Sequence, residues 1–70
     1  MIDRLAVQRA IDAAGGQSAL ARAIGISQPS VWFLRHRAVR VRWDTAARIA
    51  RATGVQPHEL DDSLPRVEVG

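Results

Sequence analysis

Residues 17–36 read Gln17-Ser-Ala-Leu20-Ala21-Arg-Ala-Ile24-Gly25-Ile26-Ser27-Gln28-Pro29-Ser30-Val31-Trp32-Phe33-Leu34-Arg35-His36, and the rest of the chain is best understood outward from them. Leu20, Ala21 and Ile24 fall on one side of a helix from about Gln17 to Ile24, because residues three and four apart share a face. Gly25 then supplies the residue that enters the left-handed backbone region at a helix end without a steric penalty. The chain restarts at once. Ser27 is a good N-cap and Pro29 is tolerated in a first turn, whose amides have no helical acceptor, so a second helix runs from about Gln28 to His36. Two helices joined this tightly need a small residue where they cross, and Ala21 sits four positions before Gly25. Val31 and Leu34 then anchor the second helix and turn Pro29, Phe33 and His36 away from the core, with Gln28, Trp32 and Arg35 along one flank.

The flanks extend the helical pattern. Asp3 can cap a first helix with Val7, Ala10, Ile11 and Ala14 on its apolar side, stopped by Gly15 and Gly16. From Arg37 to Arg42 the order Arg-Ala-Val-Arg-Val-Arg has no helical period and predicts an extended loop or short strand. If Val39 and Val41 turn inward, Arg40 and Arg42 turn outward together. A fourth helix is expected to begin at Asp44 or Thr45, to bury Ala46, Ile49, Ala50 and Thr53, and to end at Gly54. Pro57 opens a short last helix through Leu60, with Val55 closing over Leu60 as a hydrophobic staple. Residues 1–62 form one domain on this reading, and residues 63–70 a tail that is flexible or dimer-forming.

Charge is distributed unevenly. All ten basic residues are arginines, and the formal net charge is +3. Residues 17–53 hold Arg22, Arg35, Arg37, Arg40, Arg42, Arg48 and Arg51 against Asp44 alone, whereas residues 54–70 hold Glu59, Asp61, Asp62 and Glu68 against Arg66. The central half is therefore suited to a polyanion, since the planar guanidinium fork pairs bidentately with phosphate or guanine. A merely solvated charged face is the competing reading. With 70 residues there is room for one small core and no deep substrate cleft. The absence of cysteine excludes a disulfide frame, and no apolar stretch reads as a signal or a membrane span, so a cytoplasmic, nucleoid-associated protein is expected. His36 and His58 are the only histidines and lie apart from any carboxylate cluster, so neither a metal nor another cofactor is expected. No nucleophile is paired with a base, and Asp61-Asp62 reads as a polar helix end. No catalytic activity is expected.

This constellation, with its flanks over residues 7–65, resembles the small Cro-like, YdaS-type antitoxin repressors of prophages and toxin–antitoxin loci. The residues that carry the resemblance are Ala10-Ile11, Ala14-Gly15-Gly16-Gln17-Ser18-Ala19-Leu20-Ala21, Gly25-Ile26-Ser27-Gln28, Val31, Ala52-Thr53-Gly54-Val55 and His58-Glu59-Leu60. Leu34 stands where such proteins often have Trp, Arg51 where they often have Glu, and the loop before the fourth helix is slightly longer here. The resemblance implies an all-α fold, a compact four- to five-helix lambda-repressor-like DNA-binding domain, which represses a phage or toxin–antitoxin promoter, sometimes as a dimer.

On the helix-turn-helix reading the recognition helix enters the major groove of double-stranded DNA. Gln28 opens that helix, where its amide can pair with adenine or simply face solvent. Ser27 and Ser30 can donate to phosphate, and Ser27 can also serve only as the cap. Arg35 and Arg37 leave the helix end at groove level, for phosphate or guanine, and Gln17 and Ser18 start the preceding helix beside the backbone. Trp32 either folds back on the fourth helix or joins the DNA face, Pro29 points away from the core on the DNA side, and Phe33 is placed outward, toward a thymine methyl or a second protomer. Four arginines on phosphates, Arg40 and Arg42 among them, would give a logarithmic salt slope near about −3.6 per protomer. So small a module argues for a homodimer on a pseudo-palindromic operator. The competing class is a protein-binding helical module that contacts a toxin, with DNA binding secondary or absent.

Overall fold

The computed structural model describes residues 1–70 and contains five helices in the order α1 (Arg4–Ala14), α2 (Gln17–Ile24), α3 (Gln28–His36), α4 (Trp43–Thr53) and α5 (Pro57–Leu60). Local chemistry sets nearly every boundary. The Asp3 carboxylate accepts from the amides of Leu5 and Ala6 and starts α1. Gly15, at φ 99°, ends that helix, donating to Asp12 O while Gly16 donates to Ile11 O. Ser27 Oγ accepts from Ser30 N at 3.3 Å to start α3. Gly25, at φ 75°, makes the turn between α2 and α3, as its place in the sequence requires. The fourth helix starts at Trp43, one residue before Asp44, so that Asp44 lies in its first turn, where a negative charge is attracted to the positive end of the helix dipole.

The core is a single cluster shared by all five helices and the loop before α4. Helix α1 packs on each of the other four, α2 also packs on α3 and α4, and α4 on α5. Ala6, Val7, Ala10 and Ile11 face inward from α1, and Leu20, Ala21 and Ile24 from α2. Val31 is buried and Leu34 packs at the edge, so α3 contributes a narrow inner side and leaves most of its circumference free. On α4, Ala46, Ala47, Ile49 and Ala50 are buried, with Thr53 only partly so. Ala47 joins the inner side because α4 is covered by neighbours over a wider arc than its apolar period alone indicates. Val55 is partly buried and packs against the core cluster, of which Leu60 is a member.

The segment from Arg37 to Arg42 is a loop, with no strand. Only one of its two valines turns inward. Val41 is buried together with Ala38, while Val39 is 61% exposed. The reason lies outside the loop: Ile2 N donates to Val39 O at 2.8 Å and Val41 N to Asp61 Oδ2 at 3.0 Å, which fixes the backbone so that Ala38 and Val41 close the core.

Asp61 is accordingly no surface helix end. It is fully buried, and its carboxylate accepts from Ser63 N, Ser63 Oγ, Val41 N and the Met1 ammonium. Burial alone would push its pKa up, but the hydrogen bonds from Ser63 and Val41 and the nearby ammonium outweigh it and hold the carboxyl well below the usual aspartate range. In the tail, the Gln56 side-chain amide brackets Val69, donating to its carbonyl at 2.8 Å and accepting from its amide at 2.6 Å.

Candidate nucleic-acid interface

The free side of α3 carries Gln28, Pro29, Ser30, Trp32, Phe33 and His36, all exposed. Two braces hold it. Val31 and Leu34 fix the helix from inside, and Gln17 Nε2 donates to Gln28 O at 3.3 Å, tying the start of α2 to the start of α3. Helix α2 itself begins at Gly16, which has no side chain to offer as a cap, so its first-turn amides beside Gln17 and Ser18 stay open toward the same side. Ser27 and Ser30 share a hydrogen bond between their hydroxyls at 2.8 Å, and both residues are exposed.

Trp32 does not fold back onto α4. It is 46% exposed, with its ring 4.8 Å from that of His36 and tilted by 40°. Phe33 is 53% exposed, as the helical wheel requires. Together they make an apolar patch on an otherwise polar helix face.

Arginines border this face unequally. Arg35 Nε donates to Gln8 Oε1 at 2.7 Å and is half-buried against α1, and Arg4 reaches the same helix end, donating to Leu34 O at 3.3 Å. The pair clamps α3 to α1 and turns Arg35 away from its sequence neighbours in the candidate site. Arg37 and Arg40 are exposed with no carboxylate partner. Arg42 Nε lies 3.4 Å from Asp44 Oδ1, but with side chains 86% and 57% exposed this pair is worth little and yields readily to a phosphate. Arg40 and Arg42 flank the inward Val41 and so share the outward side of the loop.

Between α3, the loop and the start of α4 lies an open groove of about 460 Å³. Its floor is apolar, with Ile26, Pro29, Phe33, Leu34 and Ala38, and its edges carry Ser30, Arg40, Arg42 and Thr45. A shallower hollow is lined by Ser18, Arg22 and Gln28 on the other side of the turn. An apolar floor suits a methyl-sized apolar group and a cationic rim suits an anion.

A family model described as "Bacterial toxin YdaS" matches residues 7–61, which takes in α2 to α5 and most of α1. The chain belongs to the YdaS family. No curated protein and no solved structure matches it. The YdaS match stops at Asp61 and so leaves the tail outside. Of the residues singled out from sequence, Pro29, Ser30, Phe33, Arg40 and Arg42 line the groove of this YdaS fold, Ser18 and Gln28 line the hollow across the turn with Gln17 bonded to Gln28 O, Ser27, Trp32 and Arg37 are exposed near them, and Arg35 is held against Gln8 of α1. Missed were Gln8, Arg4 and Asp61. Only the last has a local signal: an aspartate two residues before Ser63 forms an Asx turn, which directs the carboxylate back to its own backbone. No helix is long and apolar enough to cross a membrane.

Proposed function

We propose that this YdaS-family chain binds double-stranded DNA sequence-specifically and represses transcription from a prophage or toxin–antitoxin type promoter, with no catalysis of its own. The observation that carries this reading is the open side of α3, held in place by α1 and α2 and bordered by Arg37, Arg40 and Arg42, none of them buried or firmly paired. Helix α3 enters the major groove. Gln28 pairs with a base edge, Phe33 and Pro29 meet thymine methyls, and Ser27 and Ser30 donate to the backbone. The arginine loop and the open amides at the start of α2 grip the flanking phosphates. Arg35, spent on Gln8, serves as a brace and leaves the phosphates to its neighbours.

A mobility shift with the DNA immediately upstream of the chain's own start, against an unrelated duplex of equal length, tests the assignment. The upstream fragment should bind at least about 1,000-fold more tightly at physiological salt. Equal affinity for both would remove sequence specificity, and no shift even in dilute buffer would remove DNA binding itself.

One module covers little duplex, so the operator complex is a homodimer on a pseudo-palindrome with half-sites about one helical turn apart. If the tail joins the protomers, truncation after Leu64 lowers the cooperativity of operator binding in a titration; an unchanged Hill slope would place the dimer contact elsewhere. A second reading, docking on the partner protein of a toxin–antitoxin pair, is favoured by the exposed Trp32 and Phe33. It requires that Arg40→Ala with Arg42→Ala leave the protein partner bound.

A further inference from the structure

We propose that Asp61 is a positioning residue for the DNA surface: its buried carboxylate latches the Arg37–Arg42 loop, so that Arg40 and Arg42 are presented before the duplex arrives. The proposal rests on the reading of those arginines as phosphate contacts. Its own observations are separate. The loop has no regular structure; between the bonds that join its ends to α3 and α4, its backbone is held at two points on either side of Arg40, Ile2 N to Val39 O and Val41 N to Asp61 Oδ2. The second is the only one that uses a side chain, and that side chain has no solvent exposure. Both oxygens of Asp61 are occupied: Oδ2 takes the loop amide, while Oδ1 takes Ser63 N at 3.0 Å, Ser63 Oγ at 2.8 Å and the Met1 ammonium at 3.1 Å.

The direction of the arginines follows from this latch. Val41 is pinned inward and buried, and the exposed residues on either side of it, Arg40 and Arg42, line the same groove beside α3. A freed loop would sample many backbone states, and duplex binding would have to order it at a cost in affinity. The four bonds hold the carboxyl below the usual aspartate range, so it stays an acceptor through neutral pH.

Amide hydrogen exchange on the full chain tests the latch without DNA. In the wild type, Val41 N–H should exchange at the slow rate of core amides such as Ile49, while Arg40 N–H exchanges freely; a Val41 amide as fast as that of Arg40 overturns the proposal with no variant made. Asp61→Asn then serves as the variant, because an amide has a single acceptor oxygen: the three donors now on Oδ1 claim it, and the NH2 group, which cannot accept, is left facing Val41 N. With its core amides still protected, it should show fast exchange at Val41, about tenfold weaker binding to a 30-base-pair duplex and a shallower salt dependence. Ser63→Ala, which removes one bond from Oδ1 and leaves Oδ2 on Val41, should bind as the wild type does. Asp61→Asn with freed Val41 but unchanged affinity and salt slope sinks the latch, whereas a wild type that ignores every duplex sinks the DNA reading instead. Should Asp61→Asn fail to fold, the wild-type exchange pattern together with Ser63→Ala decides the matter.

Discussion

Replacing Arg40 and Arg42 together by alanine is expected to weaken duplex binding about 200-fold at about 50 mM salt and only about 20-fold at about 200 mM. The shrinking ratio is the informative part. Each phosphate neutralised on B-form DNA releases condensed counterions, giving a logarithmic salt slope of about −0.9 per contact. Arg37, Arg40 and Arg42 are exposed at the edge of α3, whereas Arg35 is turned to Gln8, so the slope expected from this loop is about −2.7 per protomer rather than the −3.6 or so of four contacts. The double variant removes two of the three and should leave a slope near −0.9 or so from this loop. Both side chains are exposed, and losing them should change stability by less than about 0.5 kcal/mol, so circular dichroism should show an unaltered melt. An affinity ratio that stays constant with salt would mean that the two arginines are off the phosphate backbone; a ratio near unity would remove the loop from the interface.

The distinction between Arg35 and its neighbours shows which parts of this protein can be read from the chain alone. Helix ends were legible because their causes are local: Asp3 and Ser27 cap with their own side chains, and Gly25 and Gly54 supply left-handed backbone within a residue of the break. The outward placement of Phe33 was legible for the same reason, since a helical period is a property of the segment itself. Arg35 was not. Its partner lies 27 residues earlier on another helix, and nothing in the order Leu34-Arg35-His36 records that Gln8 will be there. Val39 and Val41 failed in the same way: alternation would put both on one face, and the ties to Ile2 and to Asp61, 20 residues on, break it so that only Val41 turns inward. Trp32 turned on a contact as well: its size suggested burial, but its ring rests on that of His36, one turn along its own helix. Elements and hinge were thus local facts, and the aim of each charged side chain was a tertiary one.

Leu20→Ala should lower the melting temperature by about 15–25 °C, the largest stability loss of any single substitution argued above. Leu20 has no exposed surface and sits on α2, the helix that packs against α1, α3 and α4 at once. Truncating so enclosed a leucine removes its transfer free energy and leaves a cavity that rigid neighbours fill only in part, for a cost of about 3–5 kcal/mol. A domain of this size has about that much stability in all, so a large unfolded fraction is expected at 37 °C or thereabouts. Leu5→Ala is the matched control. It deletes the same atoms from a side chain that is 72% exposed on α1, and should move the melt by no more than a few degrees. The consequence for binding follows from geometry: α2 carries the Gln17 bond to the start of α3, so DNA affinity of Leu20→Ala should track its folded fraction and recover on cooling toward the temperature of maximum stability. If Leu20→Ala melts within a few degrees of Leu5→Ala, α2 is not packed as described, and the support that aims α3 outward is lost with it.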